Sequence, residues 1–256
     1  MTPRILSIAG SDSGGGAGIQ ADIKTVTMLG GHAMTALTAL TAQNTLGVAA
    51  ALTVPTEMVL AQIDACLSDI GVDAVKIGMI GSPETAEAVA RRLEGLDVPI
   101  VFDPVMVATS GSLLADARTV AAFRQLMAIA SVVTPNLPEL DALGGEEAVL
   151  SFGCHLVVKG GHGEGDVIVD RLLSPKGEEI ARMEGKRFDT DDTHGTGCTL
   201  SSALATGLGA GMNVNDAFRQ AVRFVRVAIL AAPGLGGGHG PLGHHLGVVP
   251  FDEIEG

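Results

Sequence analysis

Residues 193–204 join a glycine turn, a thiol and the start of an apolar helix, the combination in this chain best suited to chemistry. Gly195 and Gly197 allow backbone conformations that a side chain would forbid, so we expect consecutive N–H groups to point at one place in front of the helix. Such a place binds phosphate oxygens or a developing oxyanion. Cys198 falls in the first helical turn, where the pKa of a thiol tends to fall and a thiolate accepts a proton from a hydroxyl substrate. The same pattern is also typical of a glycine-capped helix with a small buried cysteine.

Acidic, amide and basic side chains follow three predicted strands earlier in the chain. Asp103 ends a short apolar strand, where a carboxylate is well placed for a metal ion or its waters. Asn136 and Glu139 share one helical face, where they either cap the helix or add oxygen ligands for magnesium. Lys159 precedes two glycines at another strand end and either contacts a phosphate or lies in solvent.

A second glycine-rich segment, residues 10–18, connects the first predicted strand to a helix. Its placement is that of a dinucleotide fingerprint, but the glycine spacing is loose and the acidic residue after the next strand is missing. We interpret it as a wall against a small substrate, with Asp12 and Asp22 either hydrogen-bonding there or serving local structure. Gln43, at the end of the next strand, offers an amide suited to the edge of a heterocycle, or else braces a loop.

Short apolar strands alternate with helical segments along the chain, and these elements must position the residues above. The predicted strands are 5–9, 34–43, 74–77, 100–102, 132–133, 156–158, 167–173 and 178–183. The predicted helices are 19–29, 56–70, one beginning at Ser82, 116–129, 146–152, one following Cys198, and 214–232. This alternation predicts a single α/β domain over residues 1–256, in which helices cover both faces of one mostly parallel sheet.

The composition limits the classes of partner and the compartment. The net charge of -13 argues against nucleic acid or an anionic membrane as the main partner. No apolar stretch reaches the roughly 18 residues of a membrane span. Cys66, Cys154 and Cys198 lack metal-ligand spacing and fit a reducing, cytoplasmic location. We interpret the glycine- and histidine-rich segment 234–245 as a mobile loop that closes over a nucleotide, in preference to a metal site.

With these motifs in order, the chain resembles the ribokinase-like superfamily, and within it the hydroxymethylpyrimidine/phosphomethylpyrimidine kinases of thiamine biosynthesis. The resemblance covers nearly the whole chain. It rests on six motifs: AGSDSGGGAGIQAD (9–22), TAQNT (41–45), FDPVM (102–106), TPNLPE (134–139), VKGGH (158–162) and THGTGC (193–198). It implies a three-layer sandwich, in which ATP and Mg²⁺ serve to phosphorylate 4-amino-5-hydroxymethyl-2-methylpyrimidine and then its monophosphate. It also implies a homodimer.

The resemblance assigns roles to individual residues. An anion hole for the transferred phosphoryl group is implied for Gly195, Thr196 and Gly197, and the role of base for Cys198. The residues implied to read and shape the pyrimidine pocket are Gln43, Gly10, Asp22, Met79 and Val105. Those implied to organise magnesium and its waters are Asp103, Asn136 and Glu139. Those implied to contact the nucleotide are Lys159, Asn136 and Thr196.

The sequence departs from this family at two places, and other functions stay open. Asp192 stands where the family often has Asn, and the segment between Glu139 and Lys159 is shorter than usual. The nearest alternative is a pyridoxal or pyridoxine kinase on the same frame. A pyrimidine-binding regulator would not need the phosphoryl-transfer groups. A thiol hydrolase would need a histidine–acid relay, and nothing in the sequence pairs His194 with Cys198.

Overall fold

The computed structural model describes residues 1–108, 111, 114–163 and 165–245, and a nine-stranded sheet lies at its centre. The strands are β1 (Arg4–Asp12), β2 (His32–Asn44), β3 (Gly47–Thr53), β4 (Ala74–Ile77), β5 (Ile100–Phe102), β6 (Val132–Val133), β7 (His155–Val158), β8 (Val167–Leu173) and β9 (Glu179–Lys186). The helices are α1 (Gly18–Met28), α2 (Thr56–Ala65), α3 (Pro83–Leu93), α4 (Ala117–Ile129), α5 (Leu137–Ala142), α6 (Gly145–Leu150), α7 (Thr196–Gly209) and α8 (Val214–Leu230). A π-helical turn, Cys66–Ile70, extends α2, and a 3-10 turn spans Gly160–His162.

The strands lie in the order β3-β2-β1-β4-β5-β6-β7-β8-β9. The six strands from β2 to β7 in this order are parallel, whereas β3 at one edge and β8 and β9 at the other pair antiparallel. The predicted mostly parallel sheet is therefore confirmed. Within the described ranges, none of the helices has the length and apolar character needed to cross a membrane.

Strand residues alternate between two hydrophobic clusters, one on each face of the sheet. Leu6 and Ile8 belong to the first cluster, whereas Ile5 belongs to the second. This alternation follows the two-residue period of a strand. The first cluster includes residues of α2, α3 and α4, and the second includes residues of α1, α7 and α8. The result is the expected three-layer sandwich, in which the carboxyl ends of the parallel strands share one edge.

β3 is a strand that the sequence analysis does not predict. Most of its residues are exposed, and its sequence, GVAAALT, is dominated by small residues with little preference for strands. Its position is set by the tight turn from β2, in which Asn44 Oδ1 accepts the N–H groups of Leu46 and Gly47 at 2.9 and 3.2 Å. Pairing with β2, and not its own pattern, makes this segment a strand.

Side-chain caps begin two helices at the positions that the sequence indicates. Ser82 Oγ accepts the N–H of Thr85 at 3.1 Å, and Pro83 is the first residue of α3. Asp116 Oδ1 accepts the N–H of Thr119 at 2.8 Å at the start of α4. These caps fix where the chain leaves the sheet edge that carries the site.

Candidate active site

A cleft of about 1060 Å³ opens where the parallel strands end and α7 begins. Its walls come from the glycine-rich segment 10–18, the carboxyl ends of several strands and the first turn of α7. The predicted site residues that line it are Gly10, Gln43, Met79, Asp103, Val105, Asn136, Glu139, Lys159, Gly195, Thr196, Gly197 and Cys198. The fold thus brings together residues that lie almost 190 positions apart in the chain.

The first turn of α7 leaves two N–H groups free at this cleft. Gly195 is the N-cap, and its carbonyl oxygen accepts the N–H of Thr199 at 2.9 Å. The N–H groups of Gly197 and Cys198 have no acceptor among the described residues. Free N–H groups at the start of a helix are what an anion site requires.

The two glycines of this turn serve different purposes. Gly195 has a φ of 85°, and a Cβ there would lie 1.9 Å from the carbonyl oxygen of Gly16, so both conformation and contact require glycine. Gly197 has no positive φ, so the expectation that it needs a special backbone conformation is wrong. A Cβ on Gly197 would lie 3.2 Å from Lys159 Nζ and 3.5 Å from Asp103 Oδ2. Its missing side chain therefore keeps space open in front of these charges.

The pKa of the Cys198 thiol is raised to about 11, the reverse of the predicted fall. Burial among protein atoms is the main cause, although the residue keeps some exposure to the cleft. Asp22 and Asp103 raise the pKa further, whereas Lys76 and the N–H of Gly18 lower it. Because burial outweighs the helix N-terminus, the thiol is protonated at neutral pH in the free protein.

Lys159 links two carboxylates at the floor of the cleft. Its Nζ lies 2.7 Å from Asp103 Oδ1 and 3.8 Å from Glu139 Oε2. Burial lowers the pKa of Lys159, but the two carboxylates outweigh it, so the pKa is raised. Burial raises the pKa of Glu139, and Lys159 opposes that rise. Lys159 is thus a charged residue with a side chain 12% exposed, and the alternative of a lysine in solvent is wrong.

Asn136 and Glu139 cap α5, which confirms the first predicted alternative, and they also line the cleft, where the second, a role at magnesium, stays a prediction. Asn136 Oδ1 accepts the N–H of Glu139, and Glu139 Oε2 accepts the N–H of Asn136, each at 2.8 Å. In the described part of the chain, no group of three or more His, Cys, Asp or Glu side chains forms a metal cage. Asp103 and Glu139 nevertheless fit Mg²⁺, which takes one or two carboxylates and completes its shell with water and substrate phosphates.

Asp22 lies behind the cleft and not in its wall, so the predicted contact of Asp22 with the substrate is wrong. The residue is fully buried, and both of its carboxylate oxygens lie 2.9 Å from Lys76 Nζ. Ser7 and Ser202 donate hydrogen bonds to it at 2.5 and 2.7 Å. Burial lowers the pKa of Lys76, but Asp22 outweighs it, and the pKa of Lys76 is raised. The pair joins α1, β4 and α7 beneath the start of α7.

A β-bulge directs Gln43 into the cleft. The register between β2 and β3 shifts between Ala42 and Gln43, and such a shift redirects a side chain. Ser13 Oγ accepts the N–H of Gln43 at 2.8 Å and donates to its carbonyl oxygen at 2.7 Å. The side-chain Oε1 lies 3.1 Å from Thr41 Oγ1, and Nε2 lies 3.3 Å from His194 Nε2. Gln43 is therefore held in place with its amide at the cleft.

Asp12 organises the glycine-rich segment from within. Its Oδ1 accepts the N–H of Gly14 at 2.8 Å, and its Oδ2 accepts those of Gly16 and Ala17 at 3.0 and 2.9 Å. Oδ2 also lies 2.9 Å from His194 Nε2. Burial raises the pKa of Asp12, but these donors prevail and the pKa is lowered. Sequence reasoning missed His194 as a site residue, although its place beside the glycine turn was a signal.

The cleft extends beyond the predicted residues to the antiparallel edge of the sheet. Asp170, Lys186, Arg187, Phe188 and Arg226 line this part. Arg187 donates three hydrogen bonds to the loop that follows Lys159, at the carbonyl oxygens of Gly161, Gly163 and Gly165 (2.7, 2.7 and 3.0 Å). No local pattern marks these residues, because the pairing of β8 with β9 and the packing of α8, which carries Arg226, against them bring the group to the cleft.

Residues 238–244 are packed against the protein whereas 234–237 are exposed, and none of the described residues of 234–245 lies over the cleft, as the predicted loop over a nucleotide would. The N–H of His239 donates to the carbonyl oxygen of Thr45 at 3.0 Å. His244 is buried, with Nε2 2.9 Å from Thr199 Oγ1, and burial lowers the pKa of His244 to about 4. None of the described residues of this segment lines the cleft. The segment instead supports the first turn of α7 from behind.

The sequence is similar to a family model described as phosphomethylpyrimidine kinase, which matches residues 12–243. A hydroxymethylpyrimidine/phosphomethylpyrimidine kinase of Streptomyces coelicolor is 47% identical over 94% of this chain and 94% of its own length. One of Rhizobium meliloti is 46% identical over 95% of this chain and 97% of its own length.

Solved structures with the same fold include kinases for two kinds of substrate. A Bacillus subtilis pyridoxal kinase in complex with ADP has a TM-score of 0.86 and is 33% identical, covering 96% of this chain and 98% of its own. A phosphomethylpyrimidine kinase of Clostridium difficile has a TM-score of 0.76 and is 34% identical, covering 89% of this chain and all of its own. The fold alone therefore does not separate the two substrates.

Proposed function

The chain belongs to the phosphomethylpyrimidine kinase family, and we propose that it transfers the terminal phosphoryl group of ATP to 4-amino-5-hydroxymethyl-2-methylpyrimidine and then to the resulting monophosphate. The observation that carries this proposal is the meeting of the free N–H groups of Gly197 and Cys198 with Lys159 and Asp103 in one cleft. Phosphoryl transfer depends mainly on alignment of the reacting oxygens and on neutralisation of charge. These groups supply both.

The pyrimidine occupies the end of the cleft at Gln43, whose amide pairs with polar groups on the ring edge. Gly10, Met79 and Val105 form the walls around the ring. A Cβ on Gly10 would lie 2.9 Å from Met79 Sδ, so glycine at this position lets Met79 pack directly against the backbone. Asp22 does not contact the ring, because its carboxylate is buried behind the wall in an ion pair with Lys76.

The phosphates occupy the other end, in front of α7. Gly195, Thr196 and Gly197 shape the anion hole, and Lys159, with Asn136 and Thr196, contacts the nucleotide. Asp103 and Glu139 would hold Mg²⁺, which when bound neutralises phosphate charge. The ammonium group of Lys159 already lies between these carboxylates. It can therefore contact phosphate oxygens when Mg²⁺ takes the carboxylates.

Cys198 is proposed to take the proton of the hydroxymethyl group in the first transfer. Because the pKa of this thiol is about 11 in the free protein, it accepts that proton only as a thiolate, after its own proton has passed to solvent when a bound cation lowers the pKa. In the second transfer the attacking oxygen belongs to a phosphate that is already largely ionised. That step therefore needs the anion hole more than a base.

ADP release tests this proposal, with ATP and Mg²⁺ present and the alcohol and the monophosphate offered separately. We expect wild type to turn over both acceptors and Cys198→Ala to lose roughly 100- to 10,000-fold in kcat on the alcohol, with a smaller loss on the monophosphate. Cys66→Ala, a free cysteine outside the cleft, is the matched control and keeps both activities. Binding of the pyrimidine by wild type without any ADP release would contradict the kinase and favour a regulator.

Pyridoxal is the second candidate substrate. The observation in its favour is that pyridoxal kinases share this fold at a TM-score of 0.86. The identity of 46–47% to the pyrimidine kinases, over nearly the full length of both chains, favours the aminopyrimidine.

The proposal treats residues 1–256 as one catalytic domain that acts in the cytoplasm as a homodimer. The dimer is supported by the open edge of the sheet at β3, where Leu52 on β3, Leu40 on the paired β2 and Leu46 in the turn between them expose 65, 43 and 70% of their surface. A mass in solution that corresponds to one chain, by light scattering, would rule the dimer out.

A further inference from the structure

Asp12, His194, Gln43 and Thr41 form a chain of polar contacts at the substrate end of the cleft. Asp12 Oδ2 lies 2.9 Å from His194 Nε2, which lies 3.3 Å from one end of the Gln43 amide. The other end of this amide lies 3.1 Å from Thr41 Oγ1. Asp12 and His194 are only 3 and 6% exposed, so water does not substitute for the contact between them, whereas Thr41 and Gln43 line the cleft.

The proton between Asp12 and His194 belongs to the histidine. Asp12 Oδ2 already accepts the N–H groups of Gly16 and Ala17, which place it as an ionised acceptor. The lowered pKa of Asp12 agrees with this state. An ionised carboxylate cannot donate, so His194 Nε2 carries the proton, donates it to Asp12 and has no lone pair left to accept from Gln43.

Thr41 offers Gln43 the opposite kind of group. Its single hydroxyl proton is donated to the carbonyl oxygen of Ser11 at 2.8 Å, which leaves only lone pairs facing the amide. Gln43 therefore faces the N–H group of His194 at one end, which repels an NH₂ group but not an oxygen, and the lone pairs of Thr41 Oγ1 at the other. The two ends of an amide have the same shape, so these partners decide its orientation.

The partners require the carbonyl oxygen of Gln43 at His194 and the NH₂ group at Thr41. This orientation exchanges the positions of Oε1 and Nε2 given above. It removes the meeting of two donors at His194 and of two acceptors at Thr41, each of which leaves a polar group unsatisfied.

We propose that Asp12, His194 and Thr41 lock the amide of Gln43 in this orientation and thereby make the cleft select an amino group beside a ring nitrogen. The inference rests on the proposed function, since it takes the aminopyrimidine as the substrate. The locked amide presents an acceptor and a donor in fixed order, which match the amino group and the ring nitrogen of that edge. A 4-oxo ring presents a carbonyl oxygen and a ring N–H, which is the reverse order. A locked amide mismatches both groups of the oxo ring, whereas a freely rotating amide accommodates either ring.

Histidine NMR tests the lock itself without any substrate. In protein labelled with ¹⁵N-histidine, the His194 resonances are assigned by their loss in His194→Gln. We expect Nε2 to have the chemical shift of a protonated nitrogen at pH 7. A deprotonated Nε2 in His194 would overturn the proposal.

Binding tests the selectivity. Calorimetry without nucleotide compares the aminopyrimidine alcohol with its 4-oxo analogue in wild type, Thr41→Val and the matched control Thr41→Ser. We expect wild type to prefer the amino ring by roughly 100-fold or more, because a site built around paired hydrogen bonds rejects a ring that leaves them unpaired. Thr41→Val, which lacks the acceptor, should lose about tenfold of this preference, and Thr41→Ser should retain it.

An unchanged preference in folded Thr41→Val would overturn the role of the lock. If wild type binds neither ring, the proposed substrate and its selection both fail, and the His194 signal still reports whether the proton is where the network requires it. If Thr41→Val does not fold, the preference of wild type and the state of His194 decide the matter. A wild type without preference for the amino ring, or a His194 without a proton on Nε2, contradicts the proposal.

Discussion

The thiol of Cys198 lies among charged groups that come from distant parts of the chain. Lys76 lies behind it on β4 and is neutralised by Asp22 from α1, while Asp103 and Lys159 pair in front of it. The position of a cysteine at a helix N-terminus predicts a lowered pKa, but burial, with Asp22 and Asp103, outweighs the opposing effect of Lys76 and raises the pKa. A residue-level motif therefore locates the site, whereas the charges packed around it determine its chemistry.

The ion pair of Lys76 and Asp22 gives a prediction at this scale. Lys76→Met leaves Asp22 buried without a counter-charge, and we expect a loss of about 3–5 kcal/mol in the free energy of unfolding, measured with urea. The double variant Lys76→Met/Asp22→Asn removes both charges and should recover part of that loss. Lys176→Met, on an exposed turn, is the control and should leave stability within about 0.5 kcal/mol. A stable Lys76→Met protein would show that the pair contributes nothing.

The place of a residue at the cleft was predictable where it belongs to a short sequence motif. It was not predictable where it depends on a partner that is distant in the chain. Gly195, Cys198 and Asn136 are read from a few neighbouring residues, and the structure places all of them at the cleft. Asp22 also belongs to a sequence motif, but Lys76, which takes it out of the cleft wall, lies 54 positions away. Arg187 and Arg226 reach the cleft through the antiparallel edge, for which the sequence offers no local signal.

At the scale of elements, α7 is the part on which the site depends, and the segment 234–245 supports it. His244 contacts Thr199 in the first turn of α7, and the N–H of Gly243 donates to the carbonyl oxygen of Ala228 in α8 at 2.9 Å. Composition suggested a mobile loop, because glycine and histidine are common in loops. The same glycines allow close packing, since a Cβ on Gly243 would lie 1.9 Å from the carbonyl oxygen of Ala231.

The low pKa of His244 predicts how this support depends on pH. Folding lowers the pKa of His244 from about 6.5 to about 4, so the unfolded chain binds more protons between these values and stability falls as the pH drops through this window. Going from pH 7 to pH 5 should cost about 2 kcal/mol through this residue.

Urea denaturation at pH 7 and pH 5 measures that loss. His244→Gln removes the titrating group and should flatten the pH dependence by about this amount. His245→Gln, at the exposed neighbouring residue, is the control and should keep the dependence of wild type. Equal slopes in all three proteins would contradict the buried, neutral state of His244.

At the scale of the whole molecule, an acidic chain presents a cleft that is locally suited to anions. The net charge is -13, yet Lys159 lies beside the start of α7, and Lys186, Arg187 and Arg226 line the cleft towards the antiparallel edge of the sheet. In the proposed function, local cations and free N–H groups, and not the overall field, bind the phosphates. The succession of buried strands and capped helices along the chain was predictable because each has its own sequence pattern, whereas the strand order in the sheet, which determines where these groups meet, was not.

The choice of substrate is the central claim, and a competition assay tests it most directly. The aminopyrimidine alcohol and pyridoxal are supplied at equal concentration with limiting ATP and Mg²⁺, and mass spectrometry quantifies every phosphorylated product. We expect the pyrimidine monophosphate first and the diphosphate after it, with at least tenfold more pyrimidine product than pyridoxal phosphate, the ratio that about 1.4 kcal/mol of preference produces. Pyridoxal phosphate as the main product would contradict the account and show that the cleft selects pyridoxal.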